Sequence, residues 1–429
     1  MTAVIGIFNK SGVALAADSA VTISGGNGRK IYNNAYKIFS LSKFHPVAIM
    51  IYNSATFMDI PWEIIIKEYR KKIKKDSFNT LNEYESDFIS FVKTKTNLVS
   101  SEFQNTTLEE FIKAILKDKI ESVFKNNLKL IEKEKSKSKQ KELIKSLLIE
   151  DINKALVDFE KEEKLSEFDD YMFSSFIKKH KTLFKEPFNK FYSELKLGRT
   201  NETKIQKYVF NIITTANFWG AWTGLVLVGF GENEIYASCK HIRVGEVFEN
   251  RIRYRSEENG STQISEKNRA AIMPYAQRDV IDTILTGIDN KLEDVLLGSH
   301  KKFLVSFINR LKTIVEPENE KLAKKIGNID VNSLIRNFIE EFNEIQRKLH
   351  IVPLIASIAS LSKEDLAELA ESLVYLTYLK RRMSGSEESV GGPIDVAIIT
   401  KGDGLVWIKR KHYFDISLNQ DFITKYLNY

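Results

Sequence analysis

Two short runs of almost unbroken apolar residues open the chain, 3–8 (AVIGIF) and 13–17 (VALAA), separated by the polar turn NKSG. This spacing predicts a β-hairpin. Strands that are apolar at nearly every position are the kind buried on both faces of a layered α/β core. Residues 20–35, rich in Gly, Asn and Ser, read as a loop. A second hairpin follows, KIFSL and VAIMIY across SKFHP. A helix is then expected over DIPWEIIIKEYRKKI, with Asp59 as its cap and Pro61 in its first turn, where a missing N–H costs little.

From about 66 to 205 the pattern changes. Lys and Glu dominate, Gly and Pro are scarce, and apolar residues recur at three- and four-residue spacing, which predicts helices. The run IEKEKSKSKQKELIK within it reads as an exposed helix or connection, or as an arm for a partner or polyanion. Strand character returns at 220–255, where TGLVLVGF, the turn GENE and IYASCKHIRVGEV predict a third hairpin. Residues 265–350 read as largely helical. SLSKEDLAELAESLVYLTYLKRR is an amphipathic helix that Ser362 can cap, and PIDVAIIT, KGDG and LVWIKRKHYF form a fourth hairpin. Hairpins with helices between them suggest two antiparallel sheets packed face to face with helices outside. The expected division is a core over 1–65, 206–290 and 361–429, a Lys/Glu-rich helical insertion over 66–205, and a second helical insertion over 291–360.

Composition narrows this picture without redirecting it. With 429 residues, 43% hydrophobic and 28% charged, the chain is globular and long enough for a core with insertions. The net charge of +7 comes from 64 basic and 57 acidic residues, a mixture that reads as solvated faces more than as a nucleic-acid surface. Cys239 stands alone, so no disulfide within the chain is expected, which suits a reducing cytoplasm. The opening MTAVIGIFNKSG lacks the features of a secretory signal, and no apolar run is long enough to span a bilayer as a helix. The six histidines show no paired metal spacing, and GFGENE and SGGNGRK match neither a P-loop nor a dinucleotide fingerprint. No metal or cofactor is therefore expected. Trp219 and Trp222 read as core residues.

The chemistry centres on Thr2. A small residue at position 2 permits removal of Met1, which would leave a hydroxyl and an α-amine on one residue. That amine, with an ordinary pKa near 8, can take the hydroxyl proton at neutral pH. Asp18 closes the second apolar run, and a carboxylate there needs a partner to offset its desolvation. Lys37, opening KIFSL, is the candidate. A lysine beside the nucleophile would lower the hydroxyl pKa, and a carboxylate would hold the ammonium in place.

The stretch TAVIGIFNKSGVALAADSAVT followed by KIFSL resembles the N-terminus of proteasome β-subunits and the related bacterial HslV peptidase. Thr2 and Asp18 lie 16 positions apart, as in that family, and Lys37 follows Asp18 by 19, about three more than usual. LVLVGFGENEIYA and SVGGPIDVAIITKGDG look like its later hairpin and final strands. The resemblance covers about half the chain. It implies a four-layer αββα sandwich, an N-terminal-nucleophile hydrolase acting on peptides or proteins through an acyl-enzyme on Thr2, and a homo-oligomer. Carried over by position, Thr2 is the nucleophile, Lys37 tunes its hydroxyl and Asp18 holds Lys37. Thr22 falls where the family binds the substrate backbone, and Met50, with Val21 beside it, in the side-chain pocket. Ser389 lies near a serine that supports the amine, with Glu387 or Glu388 as its acidic partner.

Three departures stand out. IYNSAT replaces the usual glycines, so the N–H of Tyr52 or Asn53 would have to form the oxyanion hole. Ala20 stands where the family often has arginine. The 66–205 insertion has no counterpart in ordinary β-subunits. The alternative reading is a non-catalytic scaffold whose helical insertion binds a protein or nucleic-acid partner.

Overall fold

The computed structural model of the protein describes residues 3–25, 28–96, 99–383, 390–421 and 424. The chain is mixed α/β with antiparallel sheets. It divides into two compact units. Residues 1–50, 228–239 and 262–429 form the first, and residues 51–227 and 240–261 the second. The strands are β1 (Ala3–Asn9), β2 (Gly12–Ala17), β3 (Val21–Gly25), β4 (Gly28–Tyr32), β5 (Ile38–Ser40), β6 (Val47–Asn53), β7 (Thr56–Phe57), β8 (Ile60–Pro61), β9 (Thr223–Gly229), β10 (Ser238–Phe248), β11 (Arg251–Gln263), β12 (Ala270–Ala276), β13 (Asp395–Thr400) and β14 (Gly404–Lys409). The helices are α1 (Trp62–Ile73), α2 (Leu81–Lys95), α3 (Ser101–Lys133), α4 (Lys137–Phe159), α5 (Phe173–His180), α6 (Lys185–Tyr192), α7 (Arg199–Thr214), α8 (Asp279–Thr286), α9 (Asn290–Val315), α10 (Glu320–Gly327), α11 (Val331–Gln346), α12 (Val352–Ile358) and α13 (Lys363–Met383). One five-stranded sheet has the order β12-β1-β2-β13-β14, and a second has the order β11-β10-β9-β6-β5.

In the first unit, β1 and β2 are buried at every position, as their unbroken apolar runs require. Side chains alternate across the sheet. Ala3, Ile5 and Ile7 share one face with Ala14 and Ala16 of β2 and with Val396 and Ile398 of β13. That face packs against Leu366, Ala367, Ala370, Leu373 and Val374 of α13. Alanines on both β2 and α13 let helix and strand approach closely. Ser362 caps α13 as expected. Its Oγ accepts the Asp365 N–H at 3.2 Å while its own N–H donates to the Asp365 carboxylate at 3.3 Å. Asn9, at the end of β1, donates its side-chain amide to the carbonyls of Ile358 (3.1 Å) and Leu361 (3.0 Å), tying the first hairpin to the chain that leads into α13.

The second unit has its own core. Phe111 and Leu116 of α3, Leu148 of α4, Phe176 of α5 and Phe210 of α7 bury one another, joined by Phe168 and Phe184. Arg253 on β11 is fully buried and ends α7. It donates to the carbonyls of Ile213 (2.9 Å), Ile212 (2.9 Å) and Asn217 (2.8 Å), and to Glu246 (3.0 Å). Carbonyls left over at a helix C-terminus favour a cation, and here an arginine meets them directly.

Several local expectations change. The Gly/Asn-rich stretch expected to be a loop carries a hairpin, with Val21 opposite Tyr32 and Gly25 opposite Gly28. Residues 270–276 form β12, antiparallel to β1, so the helical stretch begins only at α8. α1 starts at Trp62 after Pro61 with no side-chain cap, because Asp59 sits at φ +63° in the tight β7–β8 turn. The Lys-rich run spans the break between α3 and α4.

Candidate functional site

β2 ends at Ala17, and the next residue turns its carboxylate back into the sheet. Asp18 is 1% exposed. Its Oδ1 accepts the Ala3 N–H at 2.8 Å and the Lys37 ammonium at 2.6 Å. Its Oδ2 accepts the N–H groups of Ala20 and Gly391, each at 3.1 Å. A carboxylate offers about four acceptor positions, and four donors fill them here. Lys37, 3% exposed, makes a second bond to the Ala20 carbonyl at 2.7 Å. Residues 17–20, the start of β1, the approach to β5 and the glycines before β13 therefore converge on one buried ion pair.

Burial pushes the Lys37 ammonium below its ordinary value, the attraction of Asp18 opposes this, and the charge of Lys411 adds a smaller lowering. A second buried pair lies beside the first. Asp395 stands opposite Ala17 in the β2–β13 ladder, accepts the Lys411 N–H at 2.9 Å and pairs with the Lys411 ammonium. That ammonium lies 4.7 Å from the centre of the Tyr36 ring, next to Lys37 in sequence. Sequence reasoning did not single out Asp395 or Lys411. Nothing in WIKRKHYF distinguishes Lys411 from its basic neighbours.

The segment 391–393 is fitted closely to this corner. Ser19 donates its N–H to the Gly391 carbonyl at 3.0 Å and its hydroxyl to the Pro393 carbonyl. Gly392 has φ +76°, and a Cβ there would lie 2.7 Å from the Asn33 carbonyl oxygen, so only glycine fits.

Of the residues expected at the site, Asp18 and Lys37 meet. Thr2 and Ser389 lie outside the described residues, as do Glu387 and Glu388. Ala3, whose N–H is bound by Asp18, is the residue that follows Thr2. Val21, partly buried, opens β3. Thr22 pairs with Ile31 through the β3–β4 ladder, and its side chain lies outside what the structure describes. Met50 is fully buried in β6 opposite Ile38. Tyr52 and Asn53 belong to the second unit. Tyr52 donates to His241 Nε2 at 2.7 Å, while His241 Nδ1 faces the Asn259 carbonyl at 3.3 Å; that carbonyl fixes the proton on Nδ1 and leaves Nε2 as the acceptor. The Tyr52 ring fills the space left by Gly224, where a Cβ would lie 2.0 Å from it. Asn53 ends β6 at φ +70°, and its amide donates to the Trp222 carbonyl at 2.9 Å.

Among the described residues, no group of three His, Cys, Asp or Glu side chains could hold a metal ion, and no helix is long and apolar enough to cross a membrane. No known family model matches the chain, and no curated protein is detectably similar to it.

Proposed function

We propose that the protein is an N-terminal threonine hydrolase of peptide or related amide bonds, built on the four-layer αββα sandwich and working as a homo-oligomer in the cytoplasm. Removal of Met1 frees the Thr2 amine. That amine takes the hydroxyl proton, Oγ attacks the substrate carbonyl, and the leaving amine departs protonated. Water then hydrolyses the ester on Oγ and restores the hydroxyl. Lys37 keeps a positive charge where the alkoxide develops, and Asp18 holds that charge in place. Ser389 supports the amine, and Val21 and Thr22 contact the substrate.

One observation carries this reading: Asp18 binds the N–H of Ala3, the residue after the proposed nucleophile, and the Lys37 ammonium on the same oxygen. The experiment is an intact-mass measurement of purified protein combined with covalent capture by a threonine-directed electrophile. The expected result is loss of Met1 and one adduct per chain, absent in Thr2→Ala. Retained Met1 in protein that hydrolyses amides rejects the mechanism. The fully buried Met50 favours a second reading, a non-catalytic scaffold. Clean Met1 removal with no adduct selects it.

A further inference from the structure

α9 is long and sparsely covered. Of its 26 residues only Ile308 is buried, yet the helix carries two apolar stripes. One, through Leu304, Ile308 and Leu311, turns toward its own unit. The other runs through Leu292, Leu296, Phe303, Phe307 and Ile314, with exposures of 52, 51, 63, 48 and 63%. Its spacing is four, seven, four, seven. Eleven residues make three helical turns to within about 20°, so these side chains keep to one line roughly 33 Å long. A solvated helix has no use for such a line. α11, which lies against α9 through the His300–Phe338 ring contact at 4.3 Å, repeats the spacing with Leu334, Phe338 and Ile345, again exposed.

We propose that α9 pairs antiparallel with α9 of a second copy of the chain, about a twofold axis beside Phe303. The stripe is close to symmetric about that residue. Leu292 and Ile314 are each eleven positions from it and face one another across the pair, Phe303 meets its own copy, and Phe307 falls over the small Ser299. Charge favours the same orientation. Glu293 flanks the N-terminal end of the stripe and Arg310 its C-terminal half, so antiparallel helices bring the Glu293 carboxylate of one copy toward the Arg310 guanidinium of the other. The five α9 side chains, each about half or more exposed, form with the α11 stripe beside them a continuous apolar line of the kind that a monomer ordinarily covers.

This surface is independent of the chemistry at Thr2. It is tested on the full chain by sedimentation velocity at concentrations on the order of 10 µM. The wild type is expected to sediment as a dimer or an even multiple of it. Phe303→Glu, at a site open enough not to disturb folding, is expected to weaken association roughly 100-fold or more, with an unchanged circular dichroism spectrum. Phe303→Cys is expected to give a disulfide-linked dimer on mild oxidation with copper phenanthroline, while Lys302→Cys, about 100° around the helix, does not. The native Cys239 is buried. A monomeric wild type, a Phe303→Glu mass distribution like that of the wild type, or equal crosslinking at 302 and 303 overturns the proposal. So does a monomeric chain that carries a different protein on this face.

Discussion

Gly391 donates its backbone N–H to Oδ2 of Asp18 at 3.1 Å, joining positions 373 residues apart. The bond sets the anion in the corner where β2 ends and β13 is about to begin. Together with the N–H groups of Ala3 and Ala20 it gives Asp18 three neutral donors besides Lys37. The two sides of this ion pair are therefore not equivalent.

Asp18→Asn is expected to be the more damaging substitution there. An amide placed either way round turns its NH2 toward two donors, and the Lys37 ammonium is left buried without a counter-charge. The expected loss is about 3–5 kcal/mol. Lys37→Met leaves the carboxylate with three N–H groups and is expected to cost less. Urea denaturation of the two variants checks the order. A larger loss in Lys37→Met would mean that the backbone donors do not hold the anion.

The lowered Lys37 pKa has consequences for stability and for activity. An unfolded lysine keeps its proton to higher pH than Lys37 does in the fold. Between the folded value and the ordinary one the unfolded chain thus binds more protons, and stability rises with pH there. If Lys37 acts as an ammonium, hydrolysis is lost as pH rises through the folded value, so the alkaline limb of kcat/KM falls below the usual lysine range. A titration of lysine 13Cε resonances, assigned by the Lys37→Arg variant, gives the value directly. A Lys37 resonance that titrates in or above the usual lysine range defeats the argument.

Much of the site's framework was legible in the chain because it follows from burial. An apolar run that ends in a carboxylate demands a cation, and Asp18 found Lys37. The hairpin strands β1 and β2 declare themselves through unbroken apolar runs for the same reason. What could not be read depended on pairing partners far away in sequence. β3 and β4 carry turn-forming residues, and only their mutual ladder makes them strands. β12 has an alanine-rich sequence that local propensity leaves undecided, and β1 settles it by taking it as an edge neighbour. Asp59 has the sequence position of a cap, but its positive φ turns it out of the capping position. Lys411 became a buried ion-pair member only because β13 and β14 fold Asp395 beside it.

Arg253 should be among the most sensitive positions of the second unit. It is fully buried, and its guanidinium serves two carbonyls of the last turn of α7 and that of Asn217 just beyond it, besides Glu246. Arg253→Met removes all four bonds and leaves the half-buried Glu246 without its cation, at an expected loss of about 3–5 kcal/mol. Arg253→Lys restores the charge but not the planar fork, so it should recover only a minor part. Hydrogen exchange reads the cause as well as the size. Amides in the last turns of α7 should lose protection first, and uniform loss across the unit would show that Arg253 does not act as the cap.

The Tyr52–His241 bond makes stability depend on acid in a defined direction. Burial lowers the His241 pKa and the Arg243 charge lowers it further, while the Asn259 carbonyl and the Glu257 charge pull the other way. The unfolded histidine titrates near 6.5, above the folded group. Below that pH the unfolded chain takes up the proton more readily, so stability falls as pH drops from neutrality toward the folded value. Protonation in the fold would also remove the Nε2 lone pair that accepts the Tyr52 hydroxyl. The paired change Tyr52→Phe/His241→Phe removes both polar groups without orphaning either, and it deletes this contribution. Urea midpoints at pH 7.5 and 5.5 should therefore differ less in the double variant than in the wild type. An equal drop in both proteins would assign the acid sensitivity to other groups.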